Sequence, residues 1–310
     1  MKLVILIPAY NEEKTIADCI KSIDTSFPKI NEIEIIVIDD GSSDKTAELA
    51  RDCGAVVYSF THNQGLAKAI SYGFSKAQER KTDLLVILDA DNQYDPKEIP
   101  LLLEPILEKK ADVVLGDRQI MKLDHMPLQK KIGNKLSSRI VSKLMGQRIN
   151  DAQTGFRAFN LDALNILHIF SEYTYTQETL LQAKYKGLKI LEVPVAFRRR
   201  NDKSRLISNI FTYAVRTVSL IASTLIFYKP IKFFGILTLI LFGIGVAQSV
   251  FLLNHFYTTG GINPHYPMTV LAAIFLITAS ISALMTIFSS IMKRHSTLLE
   301  EINQKLQKMK

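Results

Sequence analysis

The 310-residue sequence contains no tryptophan, so no motif or stacking platform built on that side chain is open to it. It has only two cysteines, Cys19 and Cys53, without metal-ligand spacing. A cysteine metal site and a disulfide are both set aside, and the two are expected to be packing residues of a cytoplasmic domain. Internal repeats and low-complexity tracts are missing too. Up to about Val195 there is no long apolar run; apolar side chains come in short bursts between polar stretches. Met1 to Pro8 is too short and strand-like for a signal peptide and is expected to start the fold.

The second part of the chain differs. Ile231 to Leu253 holds one charge, Lys232, and Met268 to Met292 holds none. About 20 apolar residues cross a ~30 Å hydrocarbon core, so both runs are read as spans. Lys229 and Lys232 flank the first and Lys293 and Arg294 follow the second, while 254–267 contains no Lys or Arg. The positive-inside rule predicts both termini and the N-terminal domain in the cytoplasm. The net charge of +8 is concentrated: Lys and Arg outnumber acids eight to one in both 118–148 and 198–232. Such blocks suit an anionic partner, and beside two spans lipid head groups and lipid phosphates lead over nucleic acid.

Lys2 to Pro8, Glu34 to Asp39, Ala55 to Phe60, Leu84 to Asp89 and Asp112 to Gly116 read as strands. Helical stretches over Lys14–Ile23, Ser43–Arg51, Gln64–Gln78 and Pro96–Glu108 alternate with them. This spacing predicts an α/β fold with a mostly parallel sheet covered on both faces. Past Gly116 the alternation loosens. Pro127 to Met145 is helical in period, with a cationic row (Lys131, Lys135, Arg139, Lys143) beside an apolar one (Ile132, Leu136, Ile140, Leu144). It suits either an anionic membrane surface or a solvated face next to a core face. Ser204 to Phe227 reads as an interfacial amphipathic helix. Leu299, Ile302, Leu306 and Met309 suggest a short amphipathic or self-associating tail helix, hence a possible homo-oligomer. The expected organisation is a cytoplasmic catalytic domain over 1–200, an interfacial helix over 201–229, two spans over 230–293 and a cytoplasmic helix over 294–310.

In parallel sheets ligands bind beyond the carboxyl ends of the strands. Here those ends carry Ala9-Tyr10-Asn11-Glu12, Asp39-Asp40-Gly41-Ser42 and Asp89-Ala90-Asp91. Two carboxylates closing an apolar strand are costly unless a cation or strong donors satisfy them. Asp89 and Asp91, with Gln93 as a further oxygen ligand, are the candidate site for Mg²⁺ or Mn²⁺, bound together with a substrate phosphate. Asp39 is expected to contact ligand, while Asp40, Ser42 or Ser43 shapes the turn.

Together with Pro8-Ala9-Tyr10-Asn11-Glu12-Glu13 and Asn63-Gln64-Gly65, these segments resemble glycosyltransferase family 2 in order and spacing. Gly116-Asp117-Arg118, Asp151 through Arg157, and Arg200 through Ser204-Arg205-Leu206 are similar to its dolichyl-phosphate mannose synthase and polyprenyl-phosphate glycosyltransferase group. The resemblance implies a GT-A type, Rossmann-like fold and an inverting transfer of a hexose from a GDP- or UDP-sugar to a polyprenyl phosphate. Pro8, Tyr10, Glu12, Asp39, Asp89 and Asp91 would hold the nucleotide-sugar. Arg118, Lys131 and Arg200 would bind phosphate, with Arg198 and Arg199 as alternatives to Arg200. Relatives carry glycine where this chain has Asn201-Asp202.

A lipid phosphate is already anionic, so little demand falls on a catalytic base. If a carboxylate assists, Asp151 and Glu178 are the candidates; Asp91, through a cation, and Arg118 and Arg200 would carry the electrostatics. Three other readings compete. Processive polysaccharide synthases carry a Q-x-x-R-W motif, which a chain without tryptophan cannot have. A transporter would need intramembrane charge, which the spans lack. A non-catalytic nucleotide-binding membrane protein would have little reason to keep Asp89, Asp91 and Gln93 together.

Overall fold

A computed structural model describes residues 1–24, 26–169, 175–199, 226 and 230–308. The chain divides into two compact units, Met1–Thr217 and Val218–Lys310. Nearly all of the interfacial helix expected over 201–229 lies outside the described residues, as does Arg200.

The first unit is built on a seven-stranded sheet of β1 (Lys2–Ala9), β2 (Glu32–Asp39), β3 (Val56–Ser59), β4 (Leu84–Ile87), β5 (Val113–Asp117), β6 (Arg157–Asn160) and β7 (Ile190–Pro194). Its order is β3-β2-β1-β4-β6-β5-β7. All pairs are parallel except those of β6, which runs against both β4 and β5. The five strands expected from the apolar bursts are present. β1 is paired on both sides, and Leu3 to Ala9 are all buried, so it reads as an unbroken apolar run rather than an alternating one. Strand order turns back at β1, with β2 and β4 on its two sides, which opens a crevice at their carboxyl ends.

Helices α1 (Ile16–Lys21), α2 (Thr46–Asp52), α3 (Leu66–Glu79), α4 (Ile99–Leu107), α5 (Leu128–Met145), α6 (Leu161–Ile166) and α7 (Tyr175–Tyr185) accompany the sheet. Ile16 and Ile20 of α1 and Ile99, Leu102, Leu103 and Ile106 of α4 join Leu3, Ile5 and Ile7 in one core cluster. On the other face α3 approaches β1 so closely that a Cβ on Gly73 would collide with the Leu6 side chain.

α5 is turned the other way. It buries Gly133, Ser137, Ser138, Val141 and Met145. In its first half the large apolar residues point outward, with Leu128 65%, Ile132 57% and Leu136 49% exposed, while Ile140 and Leu144 further along are half-buried. Of the two readings the sequence left open for this helix, a core face is disfavoured for Ile132 and Leu136, whereas Ile140 and Leu144 of the same row are half-buried.

The second unit is a helical hairpin of α8 (Pro230–Thr259) and α9 (Tyr266–Lys308). Both are long and apolar enough to cross a membrane, each with a window of mean hydropathy 2.4, yet those windows are only 6% and 17% buried. A core helix of a water-soluble domain would be mostly covered; these present their apolar surface outward. The pair is held by a close seam. Leu276 lies against Gly245, Ala272, Ala279 and Ser282 are buried, and the Ser282 hydroxyl donates to the Phe234 carbonyl at 3.0 Å. α9 runs on without a break past the apolar stretch to Lys308.

Candidate active site

The carboxyl ends of β1 and β2 are tied together by short side chain to backbone bonds. The Asn11 N–H donates to Ser42 Oγ at 2.9 Å, and the Ser43 N–H to Asn11 Oδ1 at 2.8 Å. The Glu12 N–H donates to Thr46 Oγ1 at 2.8 Å. This lacing places Tyr10, 39% exposed, and Glu12 at the rim of the crevice. Pro8 lies beyond the β1–β4 ladder, which ends at Leu6 opposite Ile87, so its missing N–H removes no bond there.

Asp39 and Asp40, both 4% exposed, have different duties. Asp39 Oδ1 accepts the Ser42 N–H at 3.0 Å. Asp40 accepts three donors from one loop: the Gln64 N–H at 2.7 Å, the Gly65 N–H at 2.9 Å and the Asn63 amide at 3.0 Å. Burial pushes the Asp40 carboxyl above its usual range, against the pull of those donors. Gly41, at φ 72°, lies against the backbone of His62 and Asn63, where a Cβ would be 2.5 Å from the His62 carbonyl carbon. The Asn63-Gln64-Gly65 segment is thus docked onto the end of β2.

β4 delivers Asp89 and Asp91, both half-buried. Asp91 Oδ1 accepts the Gln93 N–H at 3.1 Å. A Cβ on Gly155 would fall 2.8 Å from Asp89 Oδ2, so the loop before β6 passes directly against this carboxylate. Burial, reinforced by the negative field of Asp91 and Asp89, pushes the neighbouring Cys19 thiol up to about 12. Among the described residues no group of three or more His, Cys, Asp or Glu is arranged to hold a metal ion. Two carboxylates on one turn, with the Gln93 amide beside them, fit a hard divalent cation whose remaining ligands come from a phosphate.

Arg118, just past β5, is fixed by Asp151. Its Nε and Nη2 donate to the two carboxylate oxygens at 2.6 and 2.9 Å, and its backbone N–H adds a third bond at 3.3 Å. Asp151 is fully buried, and the Arg118 side chain is 11% exposed. Both Asp151 oxygens are therefore committed to the guanidinium, which makes this residue the orienter of Arg118. Glu178, the other candidate carboxylate, lies in the first turn of α7 and accepts from the Gln182 amide at 3.3 Å. Lys131 is in the first turn of α5, its ammonium 3.4 Å from the Met121 carbonyl.

Three residues here were not singled out from sequence. Tyr94 is 2% exposed; its hydroxyl lies 3.2 Å from Thr154 Oγ1 and accepts the Gly155 N–H at 3.2 Å, and burial drives its pKa up to about 12. Arg157 is fully buried, donating to the carbonyls of Thr154, Thr176 and Ala152 and to Thr179 Oγ1. It joins the 152–154 turn to the start of α7, and desolvation draws its pKa down to about 10, leaving it charged at neutral pH. Phe197 packs its ring 5.1 Å from Tyr94 and 5.1 Å from the Arg118 guanidinium. For Tyr94 and Phe197 the signal in the sequence was their position next to recognised motifs, while Arg157 closes the Asp151–Arg157 segment itself.

The family model for glycosyl transferase family 2 matches residues 4–167, the stretch that builds the crevice and its three acidic or polar strand ends. The chain belongs to glycosyl transferase family 2. Among its relatives is the UDP-N-acetylglucosamine–dolichyl-phosphate N-acetylglucosaminyltransferase of Methanococcus voltae, 32% identical over 215 residues, covering 62% of this chain and 84% of that protein. The dolichol-phosphate mannosyltransferase of Pyrococcus furiosus is 30% identical over 225 residues, 69% of this chain and 62% of the relative. Glucosyl-3-phosphoglycerate synthase of Mycobacterium tuberculosis, solved with Mn²⁺, UDP-glucose and phosphoglyceric acid, superposes with a TM-score of 0.54 at 21% identity, over 72% of this chain and 78% of that one. That likeness establishes the GT-A-like mixed sheet of this transferase. The relatives include dolichyl-phosphate sugar transferases, and this transferase carries two helices long and apolar enough to span a membrane.

Proposed function

We propose that this transferase moves a hexose of the mannose or glucose type from a GDP- or UDP-sugar to a dolichyl or undecaprenyl phosphate, with inversion, at the cytoplasmic membrane face. The observation that carries the acceptor is the outward face of α5. Leu128, Ile132 and Leu136 are exposed beside Lys131, Lys135 and Arg139, and the same helix bonds through Ser138 Oγ to the Ala152 N–H, next to the Asp151 that orients Arg118. An apolar and cationic surface leading to a fixed arginine suits a phosphate at the end of a lipid.

In this reading Pro8, Tyr10, Glu12 and Asp39 hold the nucleotide, and Asp89, Asp91 and Gln93 hold Mg²⁺ or Mn²⁺ against its diphosphate. The bound cation supplies Lewis-acid stabilisation of the charge that grows on the departing diphosphate. Arg118, with Lys131 and Arg200, receives the acceptor phosphate and relieves the repulsion between two anions. A phosphate oxygen attacks the anomeric carbon from the face opposite the diphosphate. The new C–O bond forms as the old one breaks, and its electron pair leaves on the nucleoside diphosphate. No proton has to be removed from the nucleophile, in keeping with an Asp151 whose oxygens are both engaged by Arg118. The flanking Lys229, Lys232, Lys293 and Arg294 support a cytoplasmic site.

The test is transfer of labelled sugar by the purified full chain, with a panel of GDP- and UDP-sugars and one polyprenyl phosphate. The expected product is a lipid-linked monosaccharide of inverted anomeric configuration by NMR, formed with Mg²⁺ or Mn²⁺ and not in chelator. Full activity in chelator overturns the metal role, a retained configuration overturns inversion, and equal transfer to a water-soluble sugar phosphate overturns the lipid acceptor.

A further inference from the structure

The turn that joins α8 to α9 brings together two of the six histidines of the chain. His255 lies in the last turns of α8, and His265 directly precedes α9. Their ring centroids are 4.7 Å apart and their planes nearly perpendicular, at 86°. Phe251, one helical turn before His255, stacks on that ring at 6.4 Å and meets the His265 ring edge-on at 5.3 Å. Both histidines are half-buried. The main chain fixes His265 on both sides. Its N–H donates to the Ile262 carbonyl at 2.7 Å, and its own carbonyl accepts the Met268 and Thr269 N–H groups at 3.1 and 3.2 Å.

This corner differs chemically from the rest of the hairpin. Between Lys232 and Lys293 the sequence has no Asp, Glu, Lys or Arg, so the two imidazoles are the only basic side chains in that stretch. His255 Nε2 lies 3.0 Å from the Asn263 carbonyl. A carbonyl can only accept, so in the neutral ring Nε2 carries the proton and Nδ1 keeps its lone pair. Metal-bound imidazoles are oriented in the same way, the second ring nitrogen donating to a backbone carbonyl or carboxylate. The spacing agrees. Two imidazoles on one ion, with metal–nitrogen bonds of about 2.0–2.1 Å, put their centroids about 4.5–5.2 Å apart at right-angle or tetrahedral positions. Edge-to-face packing of two rings allows the same separation, so affinity for an ion decides between them.

We propose that His255 and His265 form a binding site for a divalent transition-metal ion of the kind imidazole favours, Zn²⁺ or Cu²⁺, with water completing the coordination. The site is chemically distinct from the Asp89–Asp91 turn, whose oxygens suit Mg²⁺ or Mn²⁺. One ligand comes from each side of the turn. A bound ion therefore braces the ends of the two helices and adds a positive charge to a stretch that has no other cation.

The experiment uses the full chain in detergent, without an affinity tag and with excess Mg²⁺ to occupy oxygen sites. Cu²⁺ is the probe, because among first-row divalent ions it binds nitrogen and oxygen sites most tightly. Titration followed by EPR is expected to show one Cu²⁺ per chain with two nitrogen ligands. His255→Ala and His265→Ala are each expected to weaken binding by about 10–100-fold or more, since the loss of even a supporting partner costs that much. His295→Ala, at an exposed position past the apolar stretch, is expected to leave it unaltered. Far-UV circular dichroism checks that each variant keeps its helices; His255→Gln and His265→Gln, which keep size and polarity, give the same reading if alanine disturbs the turn. A wild-type chain that binds no Cu²⁺, or binding that survives either histidine substitution, overturns the site and leaves the two rings as packing.

Discussion

Two acidic strand ends flank β1 in this molecule, and in sequence they look alike. At the end of β2, Asp40 is 4% exposed and takes three donors from the 63–65 loop, all within 3.0 Å. At the end of β4, Asp89 and Asp91 are half-buried, on a turn where Asp91 orders Gln93 and Asp89 faces a glycine. The first carboxylate organises backbone; the second pair stands where a ligand can reach it. A carboxylate at a strand end is thus not informative by itself. What differs between Asp40 and the Asp89–Asp91 pair is which donors answer the carboxylate and whether solvent reaches it.

The largest test of that contrast is Asp91→Ala. Transfer is expected to fall by about 10³-fold or more, the scale of losing electrostatic stabilisation of a leaving group, with the unfolding midpoint unchanged. Turnover near wild type would place the cation elsewhere. Asp40→Ala should do the reverse. Leaving the Gln64 and Gly65 N–H groups unanswered is expected to cost about 2–4 kcal/mol of stability in denaturant titration, and loss of activity should track loss of fold. If Asp40→Ala were as stable as wild type, the division between scaffold and site would collapse.

A smaller effect tests the same distinction on apolar side chains. Ile132→Glu with Leu136→Glu should raise KM for a long-chain polyprenyl phosphate about fivefold, close to 1 kcal/mol, and leave KM for the nucleotide-sugar unaltered. Parallel rises in both would make the exposed face of α5 a folding feature. A last test concerns Tyr94. Its folded pKa is about 12, raised by burial above the unfolded value of about 10. The folded state keeps this proton longer, so the contribution is complete below pH 10 and is lost between pH 10 and 12. Tyr94→Phe should show a shallower loss of stability across that window in alkaline denaturation; an identical slope would mean that Tyr94 does not titrate on unfolding.

The strands β1 to β5 were legible because each is a short apolar burst ended by polar residues, and a parallel strand covered on both faces has to be apolar throughout. β6 was not legible. It opens on Arg157, a charged residue that no pattern would place in the interior, and it lies between strands that run against it. The polar and acidic strand ends could be found because local order carries them. The pairing of Arg118 with Asp151 spans 33 residues, and that of Gln93 with Arg198 spans 105, so neither leaves a trace in local spacing. For α5 the two rows were visible, but only tertiary packing decided that the Gly–Ser side goes inward. The apolar hairpin was the plainest of all, since length and lack of charge are direct properties of the chain.

Gly155 contributes no chemistry, yet it borders Asp89 so narrowly that even one methyl group would push on the carboxylate. In a saturation screen this position should behave like an active-site residue: intolerant of every substitution, with folding retained. It also offers a graded dial. Gly155→Ala and Gly155→Ser would displace Asp89 by increasing amounts without altering its charge, separating the geometry of the donor site from its electrostatics.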